Sequence, residues 1–212
     1  SPWLHGSAVL VLCGLAAAGI GAVALRTRGV YFIMSTLAFA QMLFYVCNSI
    51  KGYGGDEGLS FKARTALTGG LSLKDPTTLY LVALVMLALL LGALARFVRS
   101  PMGRALVAMR DDVDRAESLG LSTFGLQLAV FTGSGVLAGI AGLLHANTQG
   151  YVSPGLLHWT QSGTLMVMVI LGGVGTLWGG VLGAFVLLVL EEVVAGWTEH
   201  WPFWVGWVLL GI

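Results

Sequence analysis

Long apolar runs separated by short polar segments form the main pattern of this 212-residue chain. Four of the runs are close to the roughly 20 residues that a helix needs to cross a bilayer. They predict transmembrane helices at residues 7–25, 29–50, 77–97 and 124–147. A polar segment separates the third helix from the fourth, and a loop rich in glycine and charge follows the second.

The next apolar run, residues 162–194, is too long for one crossing and is interrupted by LGGVGTLWGG at residues 171–180. Because glycine weakens a helix and lets backbones approach closely, we predict two helices that meet at this break and either cross twice or re-enter. A last run, residues 201–212, predicts the start of another span. We therefore expect an all-α, polytopic transmembrane bundle of about six spans plus a truncated one. Residues 1–212 would form a single domain, a fragment of a longer protein.

Composition supports lipid as the solvent for much of the surface. Hydrophobic residues make up 57% of the chain and charged residues only 10%, whereas a soluble domain usually carries about 25% charged residues. A lipid environment favours helices, because they satisfy their backbone hydrogen bonds internally. The net charge of +1, without a basic stripe, gives no indication of a nucleic-acid partner.

Lysine and arginine in the loops predict the orientation, because cytoplasmic loops carry an excess of them. The segment from residue 96 to 115 is the most basic and is predicted to be cytoplasmic; its cations are Arg96, Arg99, Arg104, Arg110 and Arg115. The loop with Arg26 and Arg28 then faces the same side. The loop at residues 51–76 and the loop around Pro154, which has no cation, are predicted to lie outside.

The polar segment at residues 100–120 predicts a capped amphipathic helix. Ser100 is a favourable N-cap, and Gly120 fits just past the end. One face carries an apolar stripe at steps of three and four, formed by Met102, Leu106, Met109, Val113 and Ala116. Two interpretations stay open: the helix docks a protein partner, which would bury Leu106, Met109 and Val113, or it only lies in the interface and connects two spans.

Small residues at steps of four favour close helix packing in lipid. They form two stripes on the fourth span and two around the glycine break: Gly135 and Gly139; Ala138, Gly142 and Ala146; Gly175, Gly179 and Gly183; Thr176, Gly180 and Ala184. Packing is the favoured interpretation. The alternative is that the break, at Gly172, Gly173 and Gly175, lines a translocation pathway.

A polar stripe on the second span consists of Gln41, Tyr45 and Asn48. Polar groups in a span face other helices or an aqueous path, so the stripe either bonds between helices or lines the pathway. No Lys, Arg, Asp or Glu lies deep in a predicted span. This argues against a carrier that couples to protons or sodium through a buried charge, and it indicates energy supplied from elsewhere.

Several kinds of chemistry lack a motif in this sequence. There is no GxxxxGK[ST] phosphate loop, so the chain is not expected to hydrolyse ATP. The histidines lack metal-ligand spacing, and no G-x-S-x-G elbow occurs. We therefore predict no enzymatic activity, no metal site and no cofactor of its own.

Four segments resemble those of the branched-chain amino acid ABC permeases, and most closely their LivM-like inner-membrane subunit. RGVYFIMSTLAFAQMLFYV at residues 28–46 is similar to the second-span motif of that family. GGDEGLS at residues 54–60 resembles the loop that follows it. RSPMGRALVAMRDDVDRAESLG at residues 99–120 looks like the cytoplasmic coupling loop, and GYVSPGLLHWTQSGTLMVMVILGGVGTLWGGVLGAF at residues 150–185 like the C-terminal signature.

The resemblance implies a multi-pass protein of the bacterial inner membrane that imports leucine, isoleucine and valine. It implies a second permease subunit, two ATP-binding subunits that hold the ATP, and a periplasmic substrate-binding protein. The coupling loop would dock an ATP-binding subunit through Arg104, Leu106, Met109, Asp111, Val113, Arg115, Glu117 and Gly120. Two alternatives stay open: the same architecture importing urea or short amides, and a channel or secondary carrier with no ATPase.

Overall fold

The computed structural model of the protein describes residues 2–50, 58–60 and 76–195, together with Gly206. The described elements are α1 (Pro2–Ala24), α2 (Val30–Ser49), β1 (Leu59–Ser60), α3 (Pro76–Arg99), α4 (Pro101–Asp111), α5 (Val113–Ser118), α6 (Thr123–Gln149), β2 (Tyr151–Val152), a 3-10 helix (Pro154–Leu157), α7 (Trp159–Gly172) and α8 (Gly179–Ala195). The predicted all-α architecture is confirmed. The last predicted span and most of the loop at residues 51–76 lie outside the described residues.

Within these ranges, four helices are long and apolar enough to cross a membrane, namely α1, α2, α3 and α6. They match the four complete spans predicted from the apolar runs. The two helices predicted at the glycine break are confirmed as α7, with 14 residues, and α8, with 17. At 1.5 Å per residue they are about 21 and 26 Å long, both shorter than the roughly 30 Å hydrocarbon core.

Contacts divide the chain into two compact units, Ser1–Leu157 and His158–Ile212. In the first unit, α1 packs along α6 and the amphipathic helices α4 and α5 also contact α6. In the second unit, α7 packs against α8. The single permease domain over residues 1–212 stays a prediction.

Helices α1 and α6 approach closely because glycines stand where they meet. A Cβ added at Gly135 would overlap the Ala17 Cβ, and one added at Gly139 would lie 2.8 Å from the Cys13 Sγ. A Cβ added at Gly142, by contrast, would have no neighbour within 4 Å. The stripe of Gly135 and Gly139 therefore packs as predicted, whereas Gly142 does not.

Few side chains in the described part are shielded by the protein itself. Glycines aside, the buried hydrophobic residues there are Ala17, Ala24, Met109, Ala116 and Leu187. Large apolar side chains on α2 and α3 are instead exposed, including Tyr31, Ile33, Leu81 and Leu89. An apolar exterior with a small protein core is typical of helices that lie in a membrane.

Contacts between loops support the predicted sidedness. Leu59 pairs with Val152 and Ser60 with Tyr151 in a short antiparallel ribbon, so the two loops predicted to lie outside meet at one end of the bundle. Gly58 adopts a φ of 71° beside this ribbon, and a Cβ there would lie 2.5 Å from the Val152 carbonyl oxygen. The two segments predicted to be cytoplasmic also meet, through Arg28 and Glu117.

Candidate functional site

The segment between α3 and α6 begins with a sharp turn at Ser100. The Ser100 hydroxyl donates to the Phe97 carbonyl over 2.6 Å, and its oxygen accepts from the Gly103 amide at 3.2 Å. Gly103 lies directly against the Phe97 and Val98 carbonyls, where any Cβ would clash. The predicted N-cap is confirmed, and the turn fixes α4 to the end of α3.

The prediction of one continuous helix over residues 100–120 is wrong, because the segment is broken at Asp112. This residue has extended backbone angles, φ −158° and ψ 109°, and its carboxylate accepts from the Arg115 amide at 3.1 Å. Asp112 thus ends α4 and caps α5. An aspartate side chain competes well for backbone amides, so this residue was the sequence signal for the break.

The end of α5 agrees with the sequence. Gly120 has a φ of 82°, which glycine adopts without the penalty other residues incur. The Leu121 amide donates to the Ala116 carbonyl at 3.2 Å, and the Gly120 amide to the Glu117 carbonyl at 2.9 Å. This is the Schellman pattern of helix termination.

The apolar stripe of α4 and α5 faces the protein's own helices. Met109 is 4% exposed and Ala116 1% exposed, whereas Met102 is 41% exposed. Leu106 and Val113 are half-buried and line a cleft beside α6. The prediction that a partner would bury Met109 is therefore wrong, since contacts within the chain already do so.

A partner can instead reach the opposite, charged face. The predicted coupling residues exposed there are Arg104, Asp111, Arg115, Glu117 and Gly120. Two large apolar side chains that the sequence reasoning missed are exposed among them: Val107 at 52% and Leu119 at 74%. Their positions off the apolar stripe were the signal that could have identified them.

Glu117 links α5 to two other elements. Its carboxylate accepts from the Thr123 hydroxyl at 2.7 Å, at the start of α6. It also lies 3.9 Å from the Arg28 guanidinium, in the loop between α1 and α2. Both charged side chains are substantially exposed, so the ion pair adds at most about 1 kcal/mol. Its value is positional, because it brings the two predicted cytoplasmic loops together.

The glycine break between α7 and α8 is a place of direct backbone contact. A Cβ at Gly172 would clash with the Gly179 carbonyl and lie 2.8 Å from the Gly183 amide nitrogen. Gly173 and Gly175 adopt φ values of 95° and 96°. The predicted packing role is confirmed for Gly179 and Gly183. Gly180, in the neighbouring stripe, has open space around it.

The polar stripe on α2 is only partly shielded. Tyr45 is 63% exposed and its ring meets Phe44 edge to face, with centroids 5.4 Å apart. Gln41 and Asn48 are half-buried. Among the described residues the buried Oδ1 of Asn48 has no hydrogen-bond partner, so no interhelical bond forms through that atom there.

A family model described as "Branched-chain amino acid transport system / permease component" matches residues 2–212. The chain belongs to this family.

Individual family members give the same result. The chain is 34% identical over 228 residues to the high-affinity branched-chain amino acid transport system permease protein LivM of Escherichia coli strain K12, covering 95% of this chain and 54% of that protein. The LivM of Salmonella typhimurium is 34% identical over 229 residues, with the same coverage. The chain thus spans about half the length of these curated relatives.

A third relative bears a different name. The autoinducer 2 import system permease protein LsrC of Photorhabdus laumondii is 32% identical over 143 residues, covering 60% of this chain and 41% of that protein. No solved structure matches the chain. The family match and the four long apolar helices in the described residues make the chain a multi-pass membrane protein of a transport permease family.

Proposed function

We propose that the protein is the transmembrane permease subunit of a binding-protein-dependent ABC importer in the bacterial inner membrane, and that it translocates leucine, isoleucine and valine. Partner subunits would bind and hydrolyse ATP, because the chain has no phosphate loop. The proposed complex contains a second permease subunit, two ATP-binding subunits and a periplasmic substrate-binding protein. The family description and the two LivM relatives support this proposal.

One observation in the structure supports the proposed coupling: α4 and α5 are attached to the chain at both ends and along their inner face, and their outer face is exposed. The inner face is fixed by Met109 and Ala116, which are buried. The ends are fixed by Ser100 against α3 and by Glu117 against α6. An ATP-binding subunit that docks on the outer face would therefore move α3 and α6 with it.

The outer face can be tested without disturbing the fold. Val107→Asp with Leu119→Asp changes two side chains that are already exposed, so the protein should still insert. Burial of each in a partner is worth roughly 1.5–3 kcal/mol, and loss of both should weaken docking at least about a hundredfold.

In the reconstituted complex, ATPase activity stimulated by the binding protein should fall to its basal level. Ser118→Asp adds a charge to the same segment without removing an apolar contact, and this control should keep the stimulation. A double variant that is monodisperse and still couples ATP hydrolysis to uptake would refute docking through this face.

The substrate needs its own experiment, because the chain also resembles an autoinducer 2 import permease. Uptake of labelled leucine by the reconstituted complex should be reduced by unlabelled isoleucine and valine, and unaffected by urea or acetamide. Inhibition by urea or acetamide would support the alternative importer, and inhibition by autoinducer 2 would favour the substrate in that relative's name. Uptake without ATP would indicate a channel or secondary carrier.

We also propose that the glycine break and the α2 stripe contribute to the translocation pathway. The positive φ angles of Gly173 and Gly175 interrupt regular hydrogen bonding in an apolar region, and irregular backbone at membrane depth is tolerated next to protein or an aqueous cavity. The buried Asn48 Oδ1 offers an acceptor on α2. Protection of cysteines placed at Gln41 and Asn48 by saturating leucine would support this, and unchanged labelling would contradict it.

A further inference from the structure

An open cleft of about 910 Å³ lies at the predicted cytoplasmic end of the first unit. Its walls come from the loop between α1 and α2, the start of α2, the inner side of α4 and α5, and the first half of α6. The volume is within the roughly 300–1,000 Å³ usual for binding pockets. The family match names no ligand for this cleft, and the proposed coupling does not use it.

The two ends of the cleft differ in chemistry. At its mouth stand two exposed arginines, Arg26 and Arg28, and one acid, Glu117. Arg28 reaches Glu117 only at 3.9 Å, which is too long for a strong charge-assisted hydrogen bond, so its guanidinium can bind another anion. The mouth therefore carries a net positive charge among its lining residues.

The part of the cleft along α2 and α6 is lined mainly by apolar side chains. Phe32 and Phe131 meet edge to face with ring centroids 6.3 Å apart and form one wall. Ile33, which is 56% exposed, and Val130 extend the apolar surface. Gln127 and Ser134 are the polar side chains on the α6 wall beyond its first turn.

The cleft follows the depth of one lipid leaflet. Along α6 its lining runs from Thr123, the first residue of the helix, to Ser134. Eleven steps of 1.5 Å give about 16 Å, which is close to half of the roughly 30 Å hydrocarbon core. A molecule that fills the cleft would thus have one end at the cytoplasmic interface and the other near the bilayer midplane.

We propose that an anionic phospholipid of the cytoplasmic leaflet binds in this cleft. Its phosphate would lie between Arg26 and Arg28, and one acyl chain would extend along Ile33, Val130 and Phe131. Basic pockets between helices on the cytoplasmic side are suited to such headgroups. An apolar helix from elsewhere in the protein would cover the walls but leave the net positive charge of Arg26, Arg28 and Glu117 without an anion, which is why we favour lipid.

The full-length protein, purified with its accompanying subunits, can test this in phosphatidylcholine nanodiscs. Spin-labelled phosphatidylglycerol and spin-labelled phosphatidylcholine are compared by the motionally restricted fraction of each. Arg26→Gln with Arg28→Gln should reduce the preference for phosphatidylglycerol by up to about thirtyfold, at about 1 kcal/mol per arginine. Arg96→Gln with Arg110→Gln removes the same charge from the same side outside the cleft and should retain the preference.

A second variant separates a lipid from a free anion. Ile33→Trp fills the apolar part and leaves the arginines in place, so restricted phosphatidylglycerol should decrease although inorganic phosphate could still bind. An unchanged lipid signal in Ile33→Trp would overturn the proposal, as would an equal loss in the control arginine pair. A cysteine at Ile33 that cross-links to another protein segment, with no restricted lipid, would show that a helix occupies the cleft.

Discussion

The contact between α7 and α8 allows a sharp test with a single methyl group. In Gly172→Ala the new Cβ would clash with the Gly179 carbonyl oxygen and lie 2.8 Å from the Gly183 amide nitrogen. Both neighbours are backbone atoms of another helix, so neither can rotate away as a flexible side chain would. The two helices would have to separate, which also disturbs the fit of Gly183 against the Met168 carbonyl.

The expected magnitude follows from this geometry. Overpacking a tight interface costs typically about 1–3 kcal/mol. The control is Gly163→Ala on the same helix, where the added Cβ would have no neighbour within 4 Å, and alanine is favoured over glycine within a helix by about 0.5–1 kcal/mol. The two alanine variants should therefore differ by about 1.5–4 kcal/mol, with Gly172→Ala the less stable.

This difference can be measured by heating the full-length protein in detergent. The fraction that stays monodisperse is recorded at each temperature. Gly172→Ala should lose monodispersity several degrees below the parent, and Gly163→Ala at or above it. Equal midpoints for the two variants, with transport intact in both, would refute the backbone contact. A third variant, Gly173→Ala, separates sterics from conformation. Its Cβ has space, but backbone angles of φ 95° and ψ 111° cost a non-glycine residue about 1–3 kcal/mol.

The described contacts also allow three simpler tests. A cysteine at Asp114 should be labelled only from the cytoplasm, and a cysteine at Ser153 only from the periplasm. Labelling of both from one side would contradict the topology. Gly139→Ala should be less thermally stable than Gly142→Ala, because its Cβ would lie 3.0 Å from the Cys13 Cβ whereas a Cβ at Gly142 has no neighbour within 4 Å; equal stability of the two variants would place α1 differently on α6. Met109→Asp should abolish monodisperse protein, because it buries an unpaired charge; a well-folded but uncoupled variant would mean that Met109 faces a partner.

Helix caps and apolar runs were predictable because their signals are local. Ser100, followed by proline, marks the start of α4, and Gly120 marks the end of α5. The break at Asp112 was hidden because the apolar stripe continues through it at the same spacing, from Met109 to Val113. The spacing of apolar residues indicates which face of the segment is apolar. The same spacing results from one continuous helix and from two helices in succession.

Which stripe of small residues forms a contact could not be predicted from spacing alone. Gly135 and Gly142 are both small residues on the same helix, yet only Gly135 has a neighbour. The difference depends on where α1 lies, which is a property of the packed structure. For the same reason the sequence could not show that Met109 is already buried by other parts of its own chain.

The buried stripe changes how the proposed coupling would work. Docking of the apolar stripe into a partner would require Met109 to be exposed before the partner binds. That side chain is instead already buried within the protein. Docking on the outer face leaves this internal contact in place. Movement of the partner would then reach α3 through the turn at Ser100 and α6 through the Glu117–Thr123 hydrogen bond. Because α6 packs on α1 through glycines, the displacement would carry α1 as well, and the permease would respond as connected helices rather than through one loop.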